Sequence, residues 1–147
     1  MKSNSGVSLI LSPDASIQTK NDVRDAASFP LRLYARITQG EIEIAPMGRA
    51  AVPTGVTLVL PDLMEAQVVA PRGWDHEYSL SILNSPGTID SDYRGEVHVL
   101  LINLSDRPTT IEHGQEISEL KLSNFVRAIF HEVESFDSTP RGKNGLG

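Results

Sequence analysis

Ser79-Leu-Ser-Ile-Leu-Asn-Ser-Pro-Gly-Thr-Ile-Asp-Ser-Asp-Tyr-Arg-Gly-Glu-Val-His-Val-Leu-Leu-Ile-Asn-Leu104 sets two apolar runs around a polar centre. The runs at 79–86 and 97–104 are bounded by Gly and Pro, and their β-branched content reads as strand. The eleven residues from Gly87 to Val97 pack a turn glycine, two aspartates, a tyrosine and an arginine into the junction. A plain hairpin needs only a short Gly or Asn turn. So much chemistry instead suggests a loop whose side chains a rigid β scaffold aims into a pocket. On an extended backbone Asp90 and Asp92 would point to one face, with Ile89, Ser91 and Tyr93 on the other.

Outward from this segment, short strand-like runs recur with turn signals between them. They cover 7–11, 31–37, 41–45, 50–52, 56–60 and 66–69, then 109–111, 117–122 and an apolar-rich candidate at 125–133. Eleven Gly and nine Pro punctuate them, so the chain reads as an all-β sandwich or barrel. The one helical hint is Asp62-Leu-Met-Glu-Ala66, limited to a turn or two by Pro61 and Pro71. The expected organisation is one β domain over 1–134 and a flexible, polar C-terminal arm over 135–147.

At 147 residues the chain suits a single domain; a domain of this size buries roughly 68–70% of its unfolded surface. No apolar run approaches the ~20 residues of a membrane span, so no membrane association is expected. The start, Met1-Lys-Ser-Asn-Ser-Gly6, lacks the apolar core of a signal peptide. There is no cysteine, which excludes thiol catalysis and fits a reducing, cytoplasmic setting. A net charge of −6 offers no basic surplus for a nucleic acid polymer. A small anionic substrate remains compatible if local arginines or a divalent cation oppose the overall field. His76, His98, His113 and His131 lie far apart, and none forms a metal-ligand pair at helical or strand spacing. Neither Gly-x-x-x-x-Gly-Lys-Ser/Thr, Gly-x-Gly-x-x-Gly nor Gly-x-Ser-x-Gly is present.

Taken in order, these segments resemble the homotrimeric dUTP diphosphatase (dUTPase) family over nearly the whole chain. Gly87-Thr-Ile-Asp-Ser-Asp-Tyr-Arg-Gly-Glu96 resembles its third motif, with Asn84-Ser-Pro-Gly87 as the lead-in. Ala45-Pro-Met-Gly-Arg-Ala-Ala-Val-Pro-Thr-Gly55 is similar to the strand pair before the second motif. Gly114-Gln-Glu-Ile117 is similar to the start of the fourth, and Arg141-Gly-Lys-Asn-Gly-Leu-Gly147 to the start of the fifth.

The resemblance implies a single-domain distorted jelly roll and a homotrimer. It implies hydrolysis of dUTP to dUMP and pyrophosphate, with Mg2+ carried mainly by the substrate triphosphate and no protein metal ligand. Such chemistry needs an attacking water, a base to deprotonate it and cations over the phosphates. By the same resemblance Asp90 is the base, and Tyr93 packs on the deoxyribose, leaving no room for a 2′-hydroxyl. Asn84 and the backbone around Gly87, Thr88 and Ile89 bind the uracil. Arg72, Gly73, Glu119 and Arg141 fall at phosphate-handling or arm positions. In the family each site draws on three subunits. Asp92 and Arg94 read as an ion pair or a buried hydrogen-bond network that supports the turn. The run at 97–104 is the strand expected nearest the trimer axis.

Four motifs depart from the family. Arg72 is followed directly by Gly73, without the serine of Arg-Ser-Gly. The region of the first motif, which in the family reads Gly-x-Asp-Leu and organises the metal–triphosphate, is Ala27-Ser-Phe-Pro-Leu-Arg-Leu-Tyr-Ala35, with no acid; Asp25 lies upstream. Glu119 replaces a phosphate-contacting glutamine, and Leu146 replaces the arm's aromatic residue. These changes keep two alternatives in view. One is a degenerate dUTPase-fold protein that binds a nucleotide or a partner with little catalysis. The other is dCTP deamination, which shares the fold but differs around the catalytic acid.

Overall fold

The computed structural model describes residues 6–19, 31–74 and 79–142. Among them are eleven strands, all paired antiparallel. One sheet runs β1 (Ser8–Leu11), β5 (Arg49–Val59), β9 (Glu96–Asn103), β7 (Leu80–Ile82). A second runs β2 (Ile17–Thr19), β3 (Leu31–Tyr34), β11 (Glu116–Asn124), β6 (Met64–Val69), β8 (Gly87–Ile89). β4 (Ile42–Ile44) and β10 (Thr109–Ile111) make a small third ribbon. The crossovers produce the jelly roll anticipated from the sequence. No helix among the described residues is long and apolar enough to cross a membrane.

Side-chain alternation explains how the two large sheets face each other. On β9, Val97, Val99, Leu101 and Asn103 are buried, while Glu96, His98, Leu100 and Ile102 point outward. Burying a Val, Leu or Ile is worth about 1.5–3 kcal/mol. A one-residue slip would turn all of them out, so the register of β9 is strongly fixed. Leu33, Ala66, Val68, Ile117 and Leu120 meet them from the second sheet. Asn103, fully buried, is satisfied on every side: its Nδ2 donates to the Ile44 and Arg107 carbonyls at 2.9 and 2.7 Å. Its Oδ1 accepts from Ser105 N and Oγ at 2.9 and 2.7 Å.

Four details differ from the sequence expectations. The runs at 50–52 and 56–60 are one bulged strand, β5, whose register against β9 shifts between Pro53 and Thr57. Pro53 has no N–H to give the ladder, and Thr54 fills in: its Oγ1 donates to Val97 O at 2.7 Å and accepts from Val56 N at 3.2 Å. Residues 62–66 are not helical; Met64–Val69 is a strand held between β11 and β8. Two backbone ladders outweigh the good intrinsic helix propensity of Leu, Met, Glu and Ala, which tertiary pairing readily overrides. Residues 125–133 form no strand: after Phe125 N bonds Leu63 O at 3.0 Å, they pair with no strand among the described residues. The short β2 and β8 were not anticipated as strands.

Candidate active site

The central segment is built from its own backbone. Asp90-Ser91-Asp92-Tyr93 is a turn rather than extended chain, closed by Tyr93 N donating to Asp90 O at 3.2 Å. The two aspartates therefore do not share a strand face. Arg94 supports the turn, Nη1 donating to the Ser91 and Tyr93 carbonyls at 2.6 and 2.9 Å. Of the two expected roles for Arg94, hydrogen bonding is the one present, though at the surface. Among the described residues it makes no ion pair with Asp92.

Tyr93 is held at its far end, where its hydroxyl donates to Glu96 O at 3.0 Å. Its ring lies over Gly95 so closely that a Cβ there would collide with Oη and Cζ of Tyr93. That close approach is why position 95 has no side chain. Glu96 in turn anchors the segment to the β5 bulge, Oε1 accepting from Gly55 N at 2.7 Å. Gly55 sits at φ +70, and a Cβ there would collide with Arg36 and Ala15. Facing the turn, Asn84 packs its amide over Gly87: a Cβ on Gly87 would lie 3.2 Å from Asn84 Nδ2 and 3.5 Å from Val68 Cβ.

A cleft of about 310 Å3 opens here, lined by Asn84, Thr88, Ile89, Asp90, Tyr93, Glu96, Val97, His98 and Leu100. Among the described residues the Asp90 carboxylate has no hydrogen-bond partner, whereas Glu96 is engaged by Gly55. The cleft thus offers one free surface carboxylate beside a fixed aromatic ring and an amide edge. That set suits a planar base, a sugar and a water to be deprotonated.

The chain's second polar cluster lies at one end of the larger sheet. Glu119 on β11 stands opposite Arg32 on β3 and Val69 on β6, so the three share a face. Beyond Val69 comes the turn Pro71-Arg72-Gly73-Trp74, with Trp74 N donating to Pro71 O at 3.2 Å. Gly73 at φ +87 takes the third position that a type II turn reserves for glycine. Pro71 and Trp74 are buried, and Arg72 and Gly73 project. Arg141 is exposed on the segment that follows β11.

A model of the family described as dUTPase matches residues 22–147. The chain belongs to the dUTPase family. Two similar relatives are named deoxyuridine 5′-triphosphate nucleotidohydrolase. One, from Treponema pallidum subsp. pallidum, is 39% identical over 140 residues, which is 89% of this chain and 96% of that protein. The other, from Caldanaerobacter subterraneus subsp. tengcongensis, is 41% identical over 115 residues, 78% and 77% of the two chains. A variant of the Staphylococcus bacteriophage 80alpha dUTPase with dUpNHpp superposes with a TM-score of 0.80 at 18% identity, covering 97% of this chain and 96% of that one. That likeness concerns the fold.

Within the dUTPase-family chain, the residues anticipated from sequence fall into two groups. Asn84, Thr88, Ile89, Asp90 and Tyr93 line the cleft, with Gly87 immediately behind Asn84. Arg72, Gly73, Glu119 and Arg141 do not line it within one protomer. Asp25, His76 and Leu146 lie outside the described residues. Sequence reasoning missed Glu96, His98 and Leu100 as lining residues. The outward alternation of β9 was the signal that could have found them.

Proposed function

We propose that this dUTPase-family enzyme hydrolyses dUTP to dUMP and pyrophosphate in the cleft under Tyr93, with Asp90 activating the attacking water. The observation that carries the residue assignment is the Asp90 carboxylate, without a hydrogen-bond partner among the described residues and set on a closed turn in the cleft that Asn84 and Tyr93 also line. Asn84 and the Gly87–Ile89 backbone pair with the uracil edge. A mismatched base leaves those polar atoms unsatisfied, which is how such sites discriminate strongly. Tyr93, pinned by Gly95 and Glu96, closes the space a 2′-hydroxyl would need.

Among the described residues no group of three or more His, Asp or Glu side chains could hold a metal ion. Mg2+ enters this reading as a companion of the substrate triphosphate, where it neutralises phosphate charge. The chain's own phosphate contacts are Arg72, Gly73, Glu119 and Arg141. Since these do not line the Asp90 cleft in one protomer, the working site is a homotrimer's, with neighbouring subunits bringing the two groups together. The exposed apolar side chains after β11 support assembly: Val126, Ile129, Phe130 and Phe136 are 91, 81, 93 and 91% exposed in the protomer. We place the enzyme in the cytoplasm, a setting in keeping with a cysteine-free chain.

Pyrophosphate release from dUTP, compared with Asp90→Asn, tests the chemistry. Release no greater than that of the variant, with dUMP still bound, would reduce the protein to a nucleotide binder. Sedimentation or light scattering tests the assembly, and a monomer at assay concentration would overturn the shared site.

A further inference from the structure

We propose that Arg32, positioned by Glu116, is a phosphate-binding residue of this site that grips the distal phosphates of dUTP; the assignment rests on the dUTP reading above. Arg32 lies on β3 with its neighbour Leu33 fully buried, so its own side chain is directed to the outer face of the sheet. There Nη1 donates to Glu116 Oε2 at 3.0 Å, the two side chains being 30 and 26% exposed. A guanidinium has five N–H donors in a rigid fork that matches phosphate oxygens. The ion pair with Glu116 engages one of its terminal nitrogens and restrains the head group. Nε is shut off from solvent and has no partner among the described residues. A buried donor left unpaired is unfavourable, and this one belongs to a cation with further N–H groups to offer.

The surroundings are those of a polyanion site. Arg32 is the cross-strand neighbour of Glu119, the residue that replaces a phosphate-contacting glutamine in this family. On the other side of Glu119 is Val69, three residues before Arg72. Arg32 therefore stands directly beside Glu119, and Arg72 lies on the turn that follows the strand on its other side. A carboxylate alone would repel a triphosphate, and a cation directly opposite offsets it. The first-motif aspartate of the family precedes a leucine, and Arg32 lies between the two leucines of the matching region, Leu31 and Leu33. Where the family uses an acid to organise metal-bound phosphate, this chain presents a cation able to contact phosphate itself.

A purely structural Arg32–Glu116 ion pair is the competing account, and ligand length separates the two. Calorimetric titrations in constant Mg2+ would compare the wild type with Arg32→Gln and Arg32→Lys, using dUMP and the non-hydrolysable dUpNHpp as probes. Loss of a charge-assisted contact to phosphate should weaken dUpNHpp about 10- to 100-fold in Arg32→Gln. The affinity for dUMP, which lacks the distal phosphates, should stay within about twofold. Arg32→Lys keeps the charge without the fork and should show a smaller loss confined to dUpNHpp; it carries the test if the Gln variant does not fold. Unchanged dUpNHpp binding, or an equal fall for both ligands alongside a lower Tm, would overturn the assignment. A wild type that binds neither ligand would instead sink the dUTP reading, and Arg32 with it.

Discussion

The proposed nucleoside end and the proposed phosphate end of this chain are built in different ways. The first lies within about a dozen consecutive residues, and nearly every one has a local reason to be what it is. Gly95 makes room for the Tyr93 ring, Arg94 fastens the turn, and Glu96 ties the segment to the β5 bulge. The second is assembled from β3, β11 and the turn after β6, which meet only through sheet register. Substitutions in the first would break several contacts at once. In the second, one strand can change if its neighbour changes with it, and the Arg32–Glu116–Glu119 row has that character. The altered motifs of this family member all lie outside the self-contained loop.

Experiments can press on this contrast. Asp90→Asn removes the proton acceptor without removing volume, so kcat should fall by about 10²–10⁴-fold with dUMP affinity retained. A small drop would shift the base to another residue and dissolve the distinction between the two ends. Gly95→Ala should push the Tyr93 ring off its seat and break its bond to Glu96. The ratio of kcat/KM for dUTP over UTP would then drop roughly tenfold, in line with the ~1–3 kcal/mol that a steric pocket commands. An unchanged ratio would mean the ring is not the sugar gate. The smallest effect is expected at Glu119→Gln, which relieves repulsion at a half-exposed position next to a cation. KM for dUTP should improve a few-fold at low salt and less at high salt. A higher KM would show that the carboxylate contributes to binding.

Much of the fold was legible because strand alternation and Gly/Pro punctuation report burial directly. The β9 pattern of Val97, Val99 and Leu101 is an example. Failures came where pairing rather than local sequence decides. Leu63 to Ala66 looks helical in isolation, yet Met64–Val69 is claimed by ladders on both sides. Residues 125–133 have strand composition and no pairing strand among the described residues. Pro53 reads as a strand break, whereas the Thr54 hydroxyl bridges the gap. In the site, Asp90, Tyr93 and Asn84 could be found from a contiguous motif. Arg32 and Glu116 could not, since 84 residues separate them and only the β3–β11 register brings them together.

The separation of Asp90 from Arg72 and Glu119 within a protomer has a genetic consequence. In the proposed homotrimer, an allele lacking the Asp90 carboxylate and one lacking the Arg72 guanidinium would each be impaired alone. Co-expressed, they would populate mixed assemblies in which an intact loop from one product meets an intact sheet end from the other, and part of the activity would return.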